Sequence, residues 1–399
     1  METQAISTSP VLTNEMPRAE LRRGGKDAPV TTVPHLVQLD GLRAFSVAGV
    51  LVFHFLPAVA NVLQLGPIAV RLFFVLSGFL ITMILLRCKE LLEEGGQGVW
   101  YTLRQFYTRR FLRIFPAFYL ALGLAWALDV RAVRNALAWH ASYLSNVYFA
   151  LCGKWDSATS HLWSLSVEEQ FYLFFPLVIL LVPRKYLLKT LAGMALVGPL
   201  FRLAGALGGS NLLYPFILPF GCLDTLGAGA LLALSFETGA GHRLARAGST
   251  VGGPLLTTVV VFDYVGLASV FVSVMLDVAV ALVSLWLIVR AAEGFGGLAG
   301  RVLEWRPVVY VGTISYGIYL YHLFVRAVLP RAYVEALPEW GGLGPFVIWT
   351  ACSVAFAAMS WEFFERPLNG LKRFFPYKRA ARDERPAPAA CASPVDNTL

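Results

Sequence analysis

Ten runs of roughly 20 apolar residues, joined by short polar or basic links, set the terms for this chain. A helix of that length crosses the ~30 Å hydrocarbon core of a bilayer, and in lipid the backbone polar groups are satisfied only inside helices or closed barrels. The runs lie near 43–62, 67–86, 114–130, 163–183, 187–207, 214–236, 254–271, 273–290, 308–329 and 343–363. The expected fold class is therefore all-α: a polytopic integral membrane helical bundle of about ten transmembrane helices. The pair at 254–290 divides 37 residues with hardly a turn, so its boundaries stay open. Hydrophobic residues make up 57% of the 399 and charged residues only 15%, against roughly 25% charged in soluble domains. That balance excludes a disordered chain and argues against a soluble globule.

The net charge of +8 would suggest nucleic acid in a soluble protein. Here the basic residues fall between apolar runs, so orientation explains them first and no nucleic-acid partner is expected. With the N-terminus inside, 25 of the 33 Lys and Arg lie in cytoplasmic segments and four in outer loops. The positive-inside rule then predicts an N-in, C-in, multi-pass protein of the plasma membrane. Residues 1–35 are polar, without the apolar core of a signal peptide, and are expected to be a disordered cytoplasmic lead. Residues 36–370 form the transmembrane domain and 371–399 a basic, then Pro/Ala-rich tail. Residues 100–113 alternate aromatic and basic residues at helical spacing, which predicts an amphipathic helix lying in the interface. A short surface helix is expected around Asn135–Leu144. The five cysteines are scattered, without a CxxC, so neither a disulfide framework nor a metal site is expected.

Ionisable side chains inside a membrane are costly and mark functional candidates. On the first run, Arg43 and His54 stand three helical turns apart on one face, ~16 Å along the axis. Arg43 falls at the cytoplasmic mouth, where it can hold a phosphate or carboxylate. His54 is a general-base candidate; a snorkelling Arg and a hydrogen-bonded core His are the plain alternative. The fourth run begins HLWSLSVEEQFYLFFP, in which Ser164 and Glu168 share a face. Glu168 either orients a protonated His54 or belongs, with Ser164, to a capped helix start; Glu169 and Gln170 point elsewhere. Ser77-Gly78 marks a close approach of either a ligand or another helix. Arg71 has no obvious partner and is expected to snorkel. Arg109, Arg110 and Arg113 either clamp phosphates or grip anionic lipid. Ser315, Tyr319 and His322 share a face of the ninth run and line either an acceptor cavity or an aromatic belt. Asp224 is an intramembrane carboxylate, Asp263 and Asp277 are harder to place, and Glu365 is a geometric match for an arginine such as Arg43.

Taken together, these segments resemble the acyltransferase-3 family of integral membrane O-acyltransferases. The resemblance rests on LDGLRAFSVAGVLVFH, FFVLSGFLI, RRFLRIFPAFY, HLWSLSVEEQFYLFFP, LDTLGAGALLAL, ISYGIYLYH and a closing ERP, in this order from about Gln38 to Pro367. It implies acyl-CoA as donor substrate, with no permanently bound cofactor, and a sugar hydroxyl as acceptor. It also implies that Arg43 and His54 are the functional pair, with His54 catalytic. Roles in the active cavity follow for Ser77, Gly78, Arg110, Arg113, Ser164 and Glu168. One departure stands out: many members carry Gly-Val-Asp where this chain has Ala69-Val70-Arg71, a carboxylate exchanged for a cation. The hydrolase-like domain that follows the last span in some members is not expected here.

The function expected is transfer of an acyl group from acyl-CoA to a hydroxyl of a sugar or glycosylated acceptor. His54 would remove the acceptor proton or first relay the acyl group, and Glu168 would stabilise the imidazolium as a triad carboxylate does. Arg109, Arg110 and Arg113 would seat the phosphates of CoA. The Ala-, Gly- and Arg-rich composition favours a natural-product glycoside such as a macrolide over surface polysaccharide. The rival is a transporter or flippase, which also uses intramembrane His, Arg and Glu but commonly shows repeats not found between the halves of this chain. Acyl chain length, acceptor identity, leaflet of release and oligomeric state are not encoded in any motif found.

Overall fold

The structure, a computed structural model, describes residues 36–56, 64–209, 213–237, 239–267, 270–329 and 343–377. The lead at 1–35 and the tail beyond 377 lie outside the described residues. Each of the ten apolar runs corresponds to a helix, and no strand occurs among the described residues. The helices are α1 (Val37–Phe55), α2 (Leu65–Glu93), α3 (Val99–Ala127), α4 (Leu162–Leu181), α5 (Arg184–Leu207) and α6 (Leu223–Glu237). They continue with α7 (Gly241–Tyr264), α8 (Val270–Glu293), α9 (Arg306–Thr313), α10 (Ser315–Val328) and α11 (Leu343–Ser360). Among the described residues, eight of these are long and apolar enough to cross a membrane, or nine with the bent pair α9–α10. The 19-residue α1 adds Gln38, Asp40, Arg43 and His54 to its length, and that polarity keeps it off the count. The protein is a multi-pass membrane bundle.

Four expectations change. The interfacial helix at 100–113 and the span at 114–130 are one continuous 29-residue α3. Its basic segment has the same helical period as its apolar segment, and Pro116 inside the helix is tolerated. The crowded 254–290 pair resolves because α7 starts at Gly241 and passes through a π-helical turn at Gly248–Gly252. The ninth run is bent by 69° between α9 and α10. The short outer helix is three, Arg131–Asn135, Leu137–Ala141 and Ser145–Cys152. They are tied to α4 by Asn146 and Gln170, whose amides exchange hydrogen bonds of 3.0 Å.

The hub is α2, which packs on α1, α4, α6 and α8. Its crossing with α6 depends on two glycines: a Cβ on Gly78 would collide with the Leu226 carbonyl, and one on Gly229 with the Val75 carbonyl. Backbone contact of this kind is how helices associate where no hydrophobic effect drives them together. Gly78 is thus a packing residue, and the close approach is with a helix.

A second tie joins α2, α5, α6 and α8 through charge. Arg71, 4% exposed, pairs with Asp277 at 2.7 Å and donates to Cys222 Sγ and the Phe216 carbonyl. The fully buried Arg202 pairs with Asp224 at 2.6 Å and Asp277 at 3.3 Å. Arg71 therefore does not snorkel. Its partner lies 206 positions along the chain, which no local pattern could reveal.

Candidate active site

Two cavities open between the helices, and they meet at Val70 and Tyr319. The smaller, about 250 Å³, is lined by Arg43, Arg110 and Arg113, by Glu168 and Glu169, and by Ser77, Ser164, Tyr172 and Ser315. We call it the basic cavity. The larger, about 560 Å³, is lined by His54, His161, Arg71, Trp155, Trp163, Asp263 and Tyr319. We call it the histidine cavity. One face of α1 serves both, with Arg43 in the first and His54 in the second, as the helical period requires.

In the basic cavity Arg110 and Arg113 stand one turn apart on α3. Arg110 lies over the rings of Phe106 and Tyr172, with the guanidinium 5.7 and 5.3 Å from their centroids. Neither Arg110 nor Arg113 has an ion-pair or hydrogen-bond partner among the described residues. Arg109 is turned away: it donates to the carbonyls of Lys372 and Phe375 and sits over the ring of Tyr377. Arg109 thus ties α3 to the segment after α11, which corrects its expected part in a phosphate clamp. Arg43 pairs with Asp40 at 2.6 Å, not with Glu365, which accepts from Ser360.

Glu168 is the largest correction. Its carboxylate accepts hydrogen bonds of 3.0 Å from Ser77 Oγ and from the Tyr172 hydroxyl, all within the basic cavity. It lies in the other cavity from His54 and does not orient it. Glu169, expected to point elsewhere, lines the same space. Gly78 does not line either cavity.

Between the cavities stands Tyr319, whose hydroxyl is 2.6 Å from Ser164 Oγ. Each hydroxyl oxygen also lies 3.2 Å from the His161 carbonyl oxygen, so one hydroxyl donates to the other and the second donates to that carbonyl. The bend before Ser315 brings α10 across this junction. Tyr319 is 7% exposed, so it is no member of an interfacial belt.

His54 sits beside the Phe53 ring and at one end of a row of three imidazoles. Its ring centroid lies 5.0 Å from that of His322, which lies 5.0 Å from that of His161. His322 is fully buried, lines neither cavity and reaches the site only through its neighbours. Its Nδ1 is 2.7 Å from the Tyr319 carbonyl. A carbonyl only accepts, so Nδ1 carries the proton and, in a neutral ring, Nε2 holds the lone pair. Arg326 donates to the His54 carbonyl at 2.7 Å and fixes the end of α1. Sequence reasoning missed His161, Trp155 and Trp163. His161 opens the HLWSLSVEEQ segment, but nothing in that pattern distinguishes it from a helix-start residue.

The chain matches the family described as an acyltransferase domain over residues 36–362. It is similar to YrhL of Bacillus subtilis (strain 168), 31% identical over 362 residues that cover 83% of this chain and 54% of the relative. It is 28% identical to the O-acetyltransferase OatA of Staphylococcus aureus (strain NCTC 8325 / PS 47), over 85% of this chain and 58% of that protein. It is 26% identical to the peptidoglycan O-acetyltransferase OatA of Listeria monocytogenes, over 86% and 57% respectively. The chain thus spans a little over half the length of these relatives. No solved structure matches it. With a family match across nearly all of its membrane helices, the chain belongs to the acyltransferase-3 family and is a multi-pass protein of the plasma membrane.

Proposed function

We propose that the protein is a membrane O-acyltransferase that moves an acyl group from acyl-CoA, taken up at the basic cavity, to a sugar hydroxyl held in the histidine cavity. The observation that carries this reading is the pair of dissimilar cavities meeting at Tyr319. The positive-inside distribution supports a cytoplasmic position for the basic cavity, where acyl-CoA is found. Arg110 and Arg113, without ion-pair or hydrogen-bond partners among the described residues, suit its phosphates, with Arg43 at the mouth. The thioester then reaches the Tyr319 junction.

His54 acts as general base. It takes the proton of the acceptor hydroxyl as the oxygen attacks the thioester carbonyl, and the imidazolium returns that proton to the departing thiolate of CoA. His322 is its positioning neighbour, a part first expected of Glu168. Glu168, held by Ser77 and Tyr172, instead shapes the donor side. The relatives named as peptidoglycan O-acetyltransferases favour a surface glycan acceptor over a natural-product glycoside.

The test is ester formation from radiolabelled acetyl-CoA and the N-acetylglucosaminyl–N-acetylmuramyl disaccharide by protein in lipid nanodiscs. A placed general base contributes roughly 10²–10⁴-fold, so His54→Ala should lose activity by that factor while staying folded. Undiminished transfer by the variant overturns the assignment. Movement of the disaccharide across vesicles without ester formation would favour a transporter.

A further inference from the structure

His161 is 2% exposed and lines the histidine cavity. Its Nε2 is 3.0 Å from the Leu320 carbonyl, so Nε2 carries the proton. That leaves Nδ1 as the lone-pair nitrogen of the neutral ring, and Nδ1 is buried with no hydrogen-bond partner among the described residues. Buried polar atoms are ordinarily satisfied, and one left bare on a residue that lines a cavity points to a ligand there. A bare imidazole nitrogen can only accept, so its partner is an O–H or N–H. His54, His161 and His322 do not form a metal-binding group among the described residues.

The rest of the wall narrows the partner. Trp155 and Trp163 lie with ring centroids 6.3 Å apart, beside Phe53 and Phe216. Flat apolar faces next to isolated hydrogen-bonding groups suit a pyranose, which presents C–H faces and hydroxyl edges. A volume of about 560 Å³ falls within the range of small-molecule sites.

We infer that His161 is a second acceptor-contacting residue, whose Nδ1 accepts a hydrogen bond from a hydroxyl or acetamido N–H of the acceptor sugar while His54 meets the hydroxyl that reacts. The inference rests on the acceptor half of the proposed function. It gives His161 two separable jobs: Nε2–H ties the start of α4 to α10, and Nδ1 recognises sugar.

Two substitutions separate them. His161→Gln keeps an N–H near the Nε2 position for Leu320 and removes the acceptor at the δ position. His161→Asn keeps an acceptor near the δ position and removes the donor to Leu320. Binding of the N-acetylglucosaminyl–N-acetylmuramyl disaccharide is measured by calorimetry in nanodiscs, beside the thermal midpoint of each protein. His161→Gln should keep its midpoint and bind at least about fivefold more weakly, the worth of one neutral hydrogen bond. His161→Asn should melt earlier and keep its affinity. Full affinity in the Gln variant overturns the inference. If that variant does not fold, ¹⁵N-histidine spectra of the wild type decide, because the His161 Nδ1 resonance must move when the disaccharide is added and an unmoved resonance overturns the inference. Absence of saturable binding by the wild type removes the inference and the acceptor reading together. Binding without ester formation supports the inference and removes only the transfer chemistry.

Discussion

In the basic cavity Arg110 and Arg113 have no ion-pair partner among the described residues, whereas Arg71, on the wall of the histidine cavity, is locked by Asp277, Cys222 and a carbonyl. The same residue type does different work a few helical turns apart. Guanidinium groups without protein partners leave their charge for a ligand, which suits the phosphates of a nucleotide-bearing donor. A paired guanidinium instead shares, with Arg202, the work of holding four helices together and leaves recognition to imidazole and indole. The charge of Arg71 is therefore matched inside the fold, with Asp277 supplying the countercharge and Asp224 and Asp277 together pairing Arg202.

The contrast can be broken most severely at Arg71. Arg71→Ala leaves Asp277 and Asp224 sharing Arg202 alone, and removing one member of a buried ion pair costs about 3–5 kcal/mol. Thermal unfolding in detergent should show a large fall in midpoint, or little folded protein. An unchanged midpoint would mean that the network does not hold the bundle. Arg113→Ala should barely move the midpoint and should instead raise KM for acetyl-CoA about tenfold or more, the worth of a hydrogen bond to a charged group. KM for the disaccharide should stay as it was. A rise in the acceptor KM alone would reverse the roles of the cavities. A break in packing alone is Gly78→Ala, whose added methyl meets the Leu226 carbonyl. Overpacking of this kind costs about 1–3 kcal/mol of stability, with both KM values unaltered. A stable variant with a raised KM would return Gly78 to a cavity.

The helices were legible because a bilayer imposes one length and one polarity on every span. The cavity-lining places of Arg43, His54, Ser164 and Tyr319 were legible too, since each breaks that polarity on a helical face that can be counted. Depth between helices was not. His54 and Glu168 were expected to meet because each was measured from its own helix end, but Glu168 is held by Ser77 and Tyr172 in the basic cavity, and Tyr319 stands between that cavity and the one that His54 lines. The 100° step from Arg109 to Arg110 divides a structural from a cavity-lining arginine, and only the position of the Tyr377 segment decides which is which. Arg71 misled for a further reason, because its countercharge comes from α8.

The central claim is that donor and acceptor approach from opposite ends and meet at Tyr319. It is tested most directly in sealed vesicles that hold the protein in one orientation, with acetyl-CoA and the disaccharide supplied separately to either side. The account predicts ester only when acetyl-CoA is on the side of Arg110 and Arg113 and the sugar is on the other. Equal ester with both substrates on one side would contradict it.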